Sequence, residues 1–163
     1  GNTKINHAFN QVEVDIALDK FLFCYRTLET KSTVLYDGVA ATLKTLKAHG
    51  FTLALVTNKP SEIIEPILTS FSLLPLFSIT IGGDTLLEKK PSALPLMHAC
   101  EKLGVLPSEC VMVGDSKNDI LAAKAANIKS IGLTYGYNYG ESIATYQPDW
   151  VFDSFRDILS LRA

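Results

Sequence analysis

Cysteine is scarce. Cys24, Cys100 and Cys110 are three in 163 residues, odd in number and far apart. That excludes a disulfide framework or a spaced metal-ligand set and fits small buried hydrophobes in a reducing compartment. Long apolar runs are missing too, none approaching the roughly 18 residues of a membrane span. The opening residues, Gly1 to His7, lack signal-peptide character. A cytoplasmic protein without a membrane partner is the expectation. Excess positive charge is also absent. Fifteen Lys and Arg stand against 17 Asp and Glu, a net charge of −2, which argues against a nucleic-acid partner. No repeat or low-complexity segment occurs, and no G-x-G-x-x-G or Walker loop marks a nucleotide-binding domain. What remains is 47% hydrophobic and 20% charged, enough for one compact globular domain with a small appendage.

The order of elements follows from apolar spacing. Val14, Leu18, Phe21, Tyr25 and Leu28 recur at intervals of four and three, which predicts a helix with one buried face, ended by Lys31-Ser32-Thr33. From Asp37 the pattern becomes helix then strand, repeated. Asp37 or Gly38 caps a helix through His49, with Val39, Leu43 and Leu46 inward and Gly50 as its stop. Phe51 to Val56 is a continuous apolar strand of the kind buried on both faces. Ser61 to Phe71 is helical in period, but Pro66 lies inside it, predicting a late start or a kink. Further strands are expected at Ser78–Ile81, Cys110–Val113, Ser130–Leu133 and Trp150–Phe152. Helices are expected at Ser92–Leu103, after Ser116 and from Ser154. Strands alternating with helices imply an α/β fold with a mostly parallel sheet.

Three polar features fall at strand-to-helix junctions, where open parallel sheets collect ligands. Val113-Gly114-Asp115 ends a strand, and Asp119 follows four residues later at a helix mouth. Two carboxylates there suit a hard cation such as Mg²⁺, although Ser116 and Asp119 also form a helix-capping pattern. Thr57-Asn58 follows the Phe51–Val56 strand, a hydroxyl and backbone amides ready for an anion or simply a turn. Lys90, before Pro91, opens the helix leading to the Asp115 strand; it is a solvated side chain or an ammonium placed against a phosphoryl group. Hydroxyl, ammonium and carboxylates at successive junctions suit phosphoryl transfer, where positioning and charge stabilisation supply most of the catalysis.

This constellation resembles the haloacid dehalogenase (HAD) superfamily: Thr57 with Asn58 as its second motif, Lys90 as its third, and Gly114, Asp115 and Asp119 as its acidic fourth. The strings VTNKP (56–60), IGGD (81–84), VGDSKND (113–119) and LTYGYNYGE (133–141) narrow the resemblance to the bacterial phosphoglycolate phosphatase group, from about Val34 onward. It implies a Rossmann-like three-layer core, an α-helical cap, Mg²⁺ as cofactor, and hydrolysis of small organic phosphate esters such as 2-phosphoglycolate through an aspartyl-phosphate. By the same resemblance Asp115 ligates Mg²⁺, and Asp119 supports the metal shell or orients Lys90. Thr57 and Asn58 bind phosphoryl oxygens, and Lys90 holds the phosphoryl group and the nucleophile. Residues 1–33 would be the end of the cap and a connector, and residues 34–163 the core.

Two departures stand out. Ser92-Ala93-Leu94-Pro95 replaces the acidic pair usual after Lys90-Pro91. The Asp-x-Asp-Gly-Thr strand that supplies the family's nucleophile is absent, and Asp15 and Asp19, within the helical pattern, do not replace it. In the family that strand lies between those ending at Thr57 and Val113. Five buried apolar residues contribute on the order of 10 kcal/mol, comparable to a domain's net stability of roughly 5–15 kcal/mol. The expectation is therefore the C-terminal part of a longer phosphatase, its core lacking the first strand and completed by an N-terminal segment of the same protein. The rival is a non-catalytic phosphate- and metal-binding module.

Overall fold

The structure is a computed structural model that describes residues 20–24, 38–135 and 140–161. Six parallel strands form one sheet in the order β3-β2-β1-β4-β5-β6. They are β1 (Lys20–Cys24), β2 (Thr52–Val56), β3 (Phe77–Ile81), β4 (Cys110–Gly114), β5 (Lys129–Leu133) and β6 (Trp150–Phe152). Helix α1 (Val39–Ala48) precedes β2, α2 (Ser61–Ser70) leads to β3, α3 (Leu94–Leu103) to β4, and α4 (Lys117–Ala125) to β5. The three-layer α/β expectation is met.

Alternation along the strands divides the core. Leu53, Leu55, Val111, Val113, Ile131 and Leu133 face α1, α2 and the closing 3₁₀ segment through Phe155 and Ile158. Ala54, Val56, Cys110 and Met112 point the other way, onto Leu96, Ala99 and Cys100 of α3 and Ala122 and Ala123 of α4. A strand clothed on both faces has no polar side, which is why FTLALV reads as an unbroken apolar run. Gly104 ends α3 in the left-handed conformation at φ 68°, a backbone state glycine enters without a Cβ penalty. Pro66 neither delays nor ends α2, which runs continuously from Ser61 to Ser70.

One expectation is corrected. Lys20–Cys24, inside the helical spacing of Val14 to Leu28, is a strand, and it occupies the slot expected to lack one. It pairs with β2 from Lys20↔Thr52 to Phe23↔Leu55 and with β4 from Lys20↔Cys110 to Cys24↔Gly114. The physical reason is tertiary. An empty slot would leave the backbone donors and acceptors of two central strands unpaired, and a run of Phe-Leu-Phe is as compatible with a buried strand as with a helix face. The rest of the region assigned to the cap and connector lies outside the described residues. Among the described residues, no helix is long and apolar enough to cross a membrane.

Candidate active site

Strand order reverses direction at β1. Chain segments step outward to β2 and β3 on one side and to β4, β5 and β6 on the other. The carboxyl ends of β1, β2 and β4 therefore border the crevice where such sheets bind ligands. Thr57 continues β2, Asp115 continues β4, and the segment before α3 brings Lys90 between them.

Lys90 is not a solvated lysine. It is 6% exposed, and its Nζ donates to Asp119 Oδ1 at 2.6 Å and to the carbonyl oxygen of Val56 at 3.2 Å. Asp119, 1% exposed, accepts with its other oxygen from the backbone N–H of Asp115 and of Ser116, both at 3.1 Å. Ser116 in turn accepts from the Asn118 amide, so the capping box is formed as well. Capping and ion pairing are one arrangement: the cap fixes one oxygen of Asp119 and thereby aims the other at Lys90. Gly114 makes room for it, since a Cβ there would lie 2.3 Å from the Asp119 side chain. Asp115 is fully buried beside this pair.

Thr57 is 7% exposed. Its amide donates to Ile81 O at 2.9 Å, and its hydroxyl oxygen accepts from the Lys59 amide at 3.1 Å. Among the described residues, the hydroxyl hydrogen of Thr57 and the amide of Asn58 have no acceptor, leaving two donors at the end of β2. The Asn58 side chain is turned elsewhere. Its Nδ2 donates to Lys90 O at 2.9 Å, and its Oδ1 accepts from Lys90 N at 3.1 Å.

The helix N-terminus behind Thr57 already holds an anion. Asp84 Oδ1 accepts from the Ser61 amide at 2.8 Å, and that backbone hydrogen bond lowers the Asp84 carboxyl below its ordinary value. Sequence reasoning noticed IGGD without reading this role, because the cap comes from 23 residues away. Ser116, whose amide helps hold Asp119, shows in the sequence only a capping pattern.

At the rim, Lys117 Nζ lies 3.8 Å from Glu141 and 6.0 Å from the centre of the Tyr146 ring. The Tyr146 hydroxyl donates to Glu141, which raises the phenol above its ordinary 10. These contacts fasten the far end of the Tyr/Gly loop to the first turn of α4. Residues 136–139 of that loop lie outside the described residues.

Residues 2–133 match the haloacid dehalogenase-like hydrolase family. The chain belongs to that family. Within it, the chain is 52% identical over 159 residues to a phosphoglycolate phosphatase of Colwellia psychrerythraea, covering 98% of this chain and 70% of that protein. It is 50% identical over 135 residues to a phosphoglycolate phosphatase of Salmonella typhimurium, covering 83% of this chain and 54% of that protein. A crystal structure of a predicted phosphoglycolate phosphatase from Haemophilus somnus superposes with a TM-score of 0.77 at 50% identity, over 78% of this chain and 57% of the other. The HAD family resemblance is therefore established, and the chain spans between about half and 70% of these relatives.

Proposed function

We propose that this HAD chain forms most of the active site of a phosphomonoesterase acting on small organic phosphates, with 2-phosphoglycolate the preferred class. The buried Lys90–Asp119 pair carries the reading, because a desolvated ammonium held from behind by a carboxylate and a carbonyl is aimed rather than merely soluble. The Thr57 hydroxyl and the Asn58 amide donate to phosphoryl oxygens at the end of β2. Lys90 neutralises the negative charge that the phosphoryl group carries through the transition state. Asp119 keeps Lys90 in place. The relatives named as phosphoglycolate phosphatases support the substrate class.

Among the described residues, no three His, Cys, Asp or Glu side chains gather into a metal cluster. That donor set still fits Mg²⁺, which is commonly held by one or two carboxylates together with water and phosphate oxygens. Asp115 is the fitting ligand. Asp119, with one oxygen on Lys90 and the other on two amides, is better suited to support that shell than to lead it. When bound, Mg²⁺ would draw negative charge from the phosphoryl oxygens.

The covalent step needs a carboxylate that attacks phosphorus, expels the alcohol and passes the phosphoryl group to water. β1, of sequence KFLFC, contains none. We assign the nucleophile to a segment outside the described residues, expected N-terminal to the core, and the working enzyme to the cytoplasm. The test is phosphatase activity of this polypeptide with and without an added N-terminal segment bearing Asp-x-Asp-Gly-Thr. Turnover dependent on that segment supports the enzyme. Tight Mg²⁺ and phosphate binding without turnover in either case overturns it in favour of a binding module.

A further inference from the structure

We infer that the side chain of Asn58 is a positioning group for Lys90 and does not itself touch the substrate, whose phosphoryl oxygens meet only the backbone amide of this residue. The inference deepens the phosphatase reading of the same site and rests on it for Lys90's catalytic importance, but not for the geometry. Lys90 has its ammonium anchored by Asp119 and Val56, yet nothing in that pair fixes the backbone from which the side chain springs. Asn58 does. Its carboxamide bonds both the N–H and the C=O of Lys90 across 32 residues, at 3.1 and 2.9 Å. This is the pairing a neighbouring strand would offer to a single extended residue. Pro91 favours that extended form at the preceding position, so N–H and C=O face one partner together.

Asn58 is itself braced. Its carbonyl oxygen lies so close to Gly83 that a Cβ there would stand 2.2 Å away, and the Gly83 amide donates to Lys59 O at 2.8 Å. Asp84, next in sequence, caps α2. The IGGD turn therefore holds the Thr57–Lys59 loop on one side, and Asn58 passes that constraint to Lys90 on the other. With both polar groups of the side chain spent on a peptide, only the backbone amide of Asn58 is left to face an anion.

The test compares Asn58→Ala and Asn58→Asp in the whole chain, the second keeping volume and one of the two hydrogen bonds. Lysine acylation is read residue by residue by mass spectrometry, with closure of the buried Cys100 and Cys110 thiols as the check on folding. Lys90 acylation is expected to rise about tenfold in Asn58→Ala and about threefold in Asn58→Asp, from the loss of two or one hydrogen bonds. Should Asn58→Ala open the thiols, the aspartate variant decides. Unchanged Lys90 labelling in a folded variant overturns the inference. Binding of inorganic phosphate with Mg²⁺ separates positioning from direct contact. Asn58→Ala is expected to weaken it several-fold in the native chain and not at all in a Lys90→Met background. Equal weakening in both backgrounds means that the Asn58 side chain meets the anion itself, which overturns the inference. A chain that binds no phosphate but shows the labelling change keeps the positioning role and removes the phosphatase reading.

Discussion

Lys90 and Asp119 are each costly to bury alone and tolerable together. Removing the carboxylate leaves an ammonium at 6% exposure with the Val56 carbonyl in place of a counter-charge. We expect Asp119→Ala to lower stability by about 3–5 kcal/mol, measured by denaturant unfolding. Lys90→Met combined with Asp119→Leu should cost less than the sum of the single changes, because neither member of the pair is then left buried without the other. In the completed enzyme, Asp115→Asn should reduce turnover by about 10²–10³-fold, as for loss of a preorganised electrostatic group. Near-native rates at saturating Mg²⁺ would remove Asp115 from the mechanism. These three residues were legible because Gly-Asp-x-x-x-Asp and Lys-Pro sit at junctions that the apolar pattern reveals. The use of the Asn58 side chain was not legible, since a carboxamide looks the same whether it meets a phosphate or a peptide 32 residues away.

The start of α2 is held by a residue distant in sequence. Pro60 stands at the start of α2 with no side chain to cap it, and Asp84 supplies the missing acceptor. Its lowered carboxyl sets the sign of the pH effect. Stabilisation is complete above the ordinary value of 3.8 and is lost as pH falls from there through the lowered folded value. Asp84→Ala should therefore melt below the native chain at neutral pH, and the gap should close in acid below that range. A gap that persists there would assign the effect to packing instead. α4 shows the opposite economy, with its own Ser116 and Asp119 closing the first turn. Gly114→Ala tests whether that turn must lie against β4. Overpacking of this kind costs about 1–3 kcal/mol, and here it would also displace the carboxylate that holds Lys90, so phosphate affinity should fall with stability. Helix positions were readable from period and stop signals; the cap on α2 was not, because it is donated by a distant turn.

For the whole molecule, the decisive feature is the centre of the sheet. β1 lies between β2 and β4, so its backbone is paired on both sides. Amides of Phe21 to Cys24 should exchange with solvent as slowly as those of Leu53 to Val56 and Val111 to Gly114, in the class opened only by global unfolding. Fast exchange confined to residues 20–24 would remove β1 from the sheet. The sequence alone was enough for the α/β class, the order of elements from α1 onward and the family motifs. Each of these depends on local spacing: period two or 3.6, glycine and proline at ends, polar residues where apolar runs stop. Which segment fills the central slot, which carboxylate caps α2 and which peptide Asn58 holds were decided only by the folded chain. Those choices satisfy backbone groups far apart in sequence, Ser61 by Asp84, Lys90 by Asn58 and Lys20 beside Cys110, a demand that exists only once the strands stand side by side.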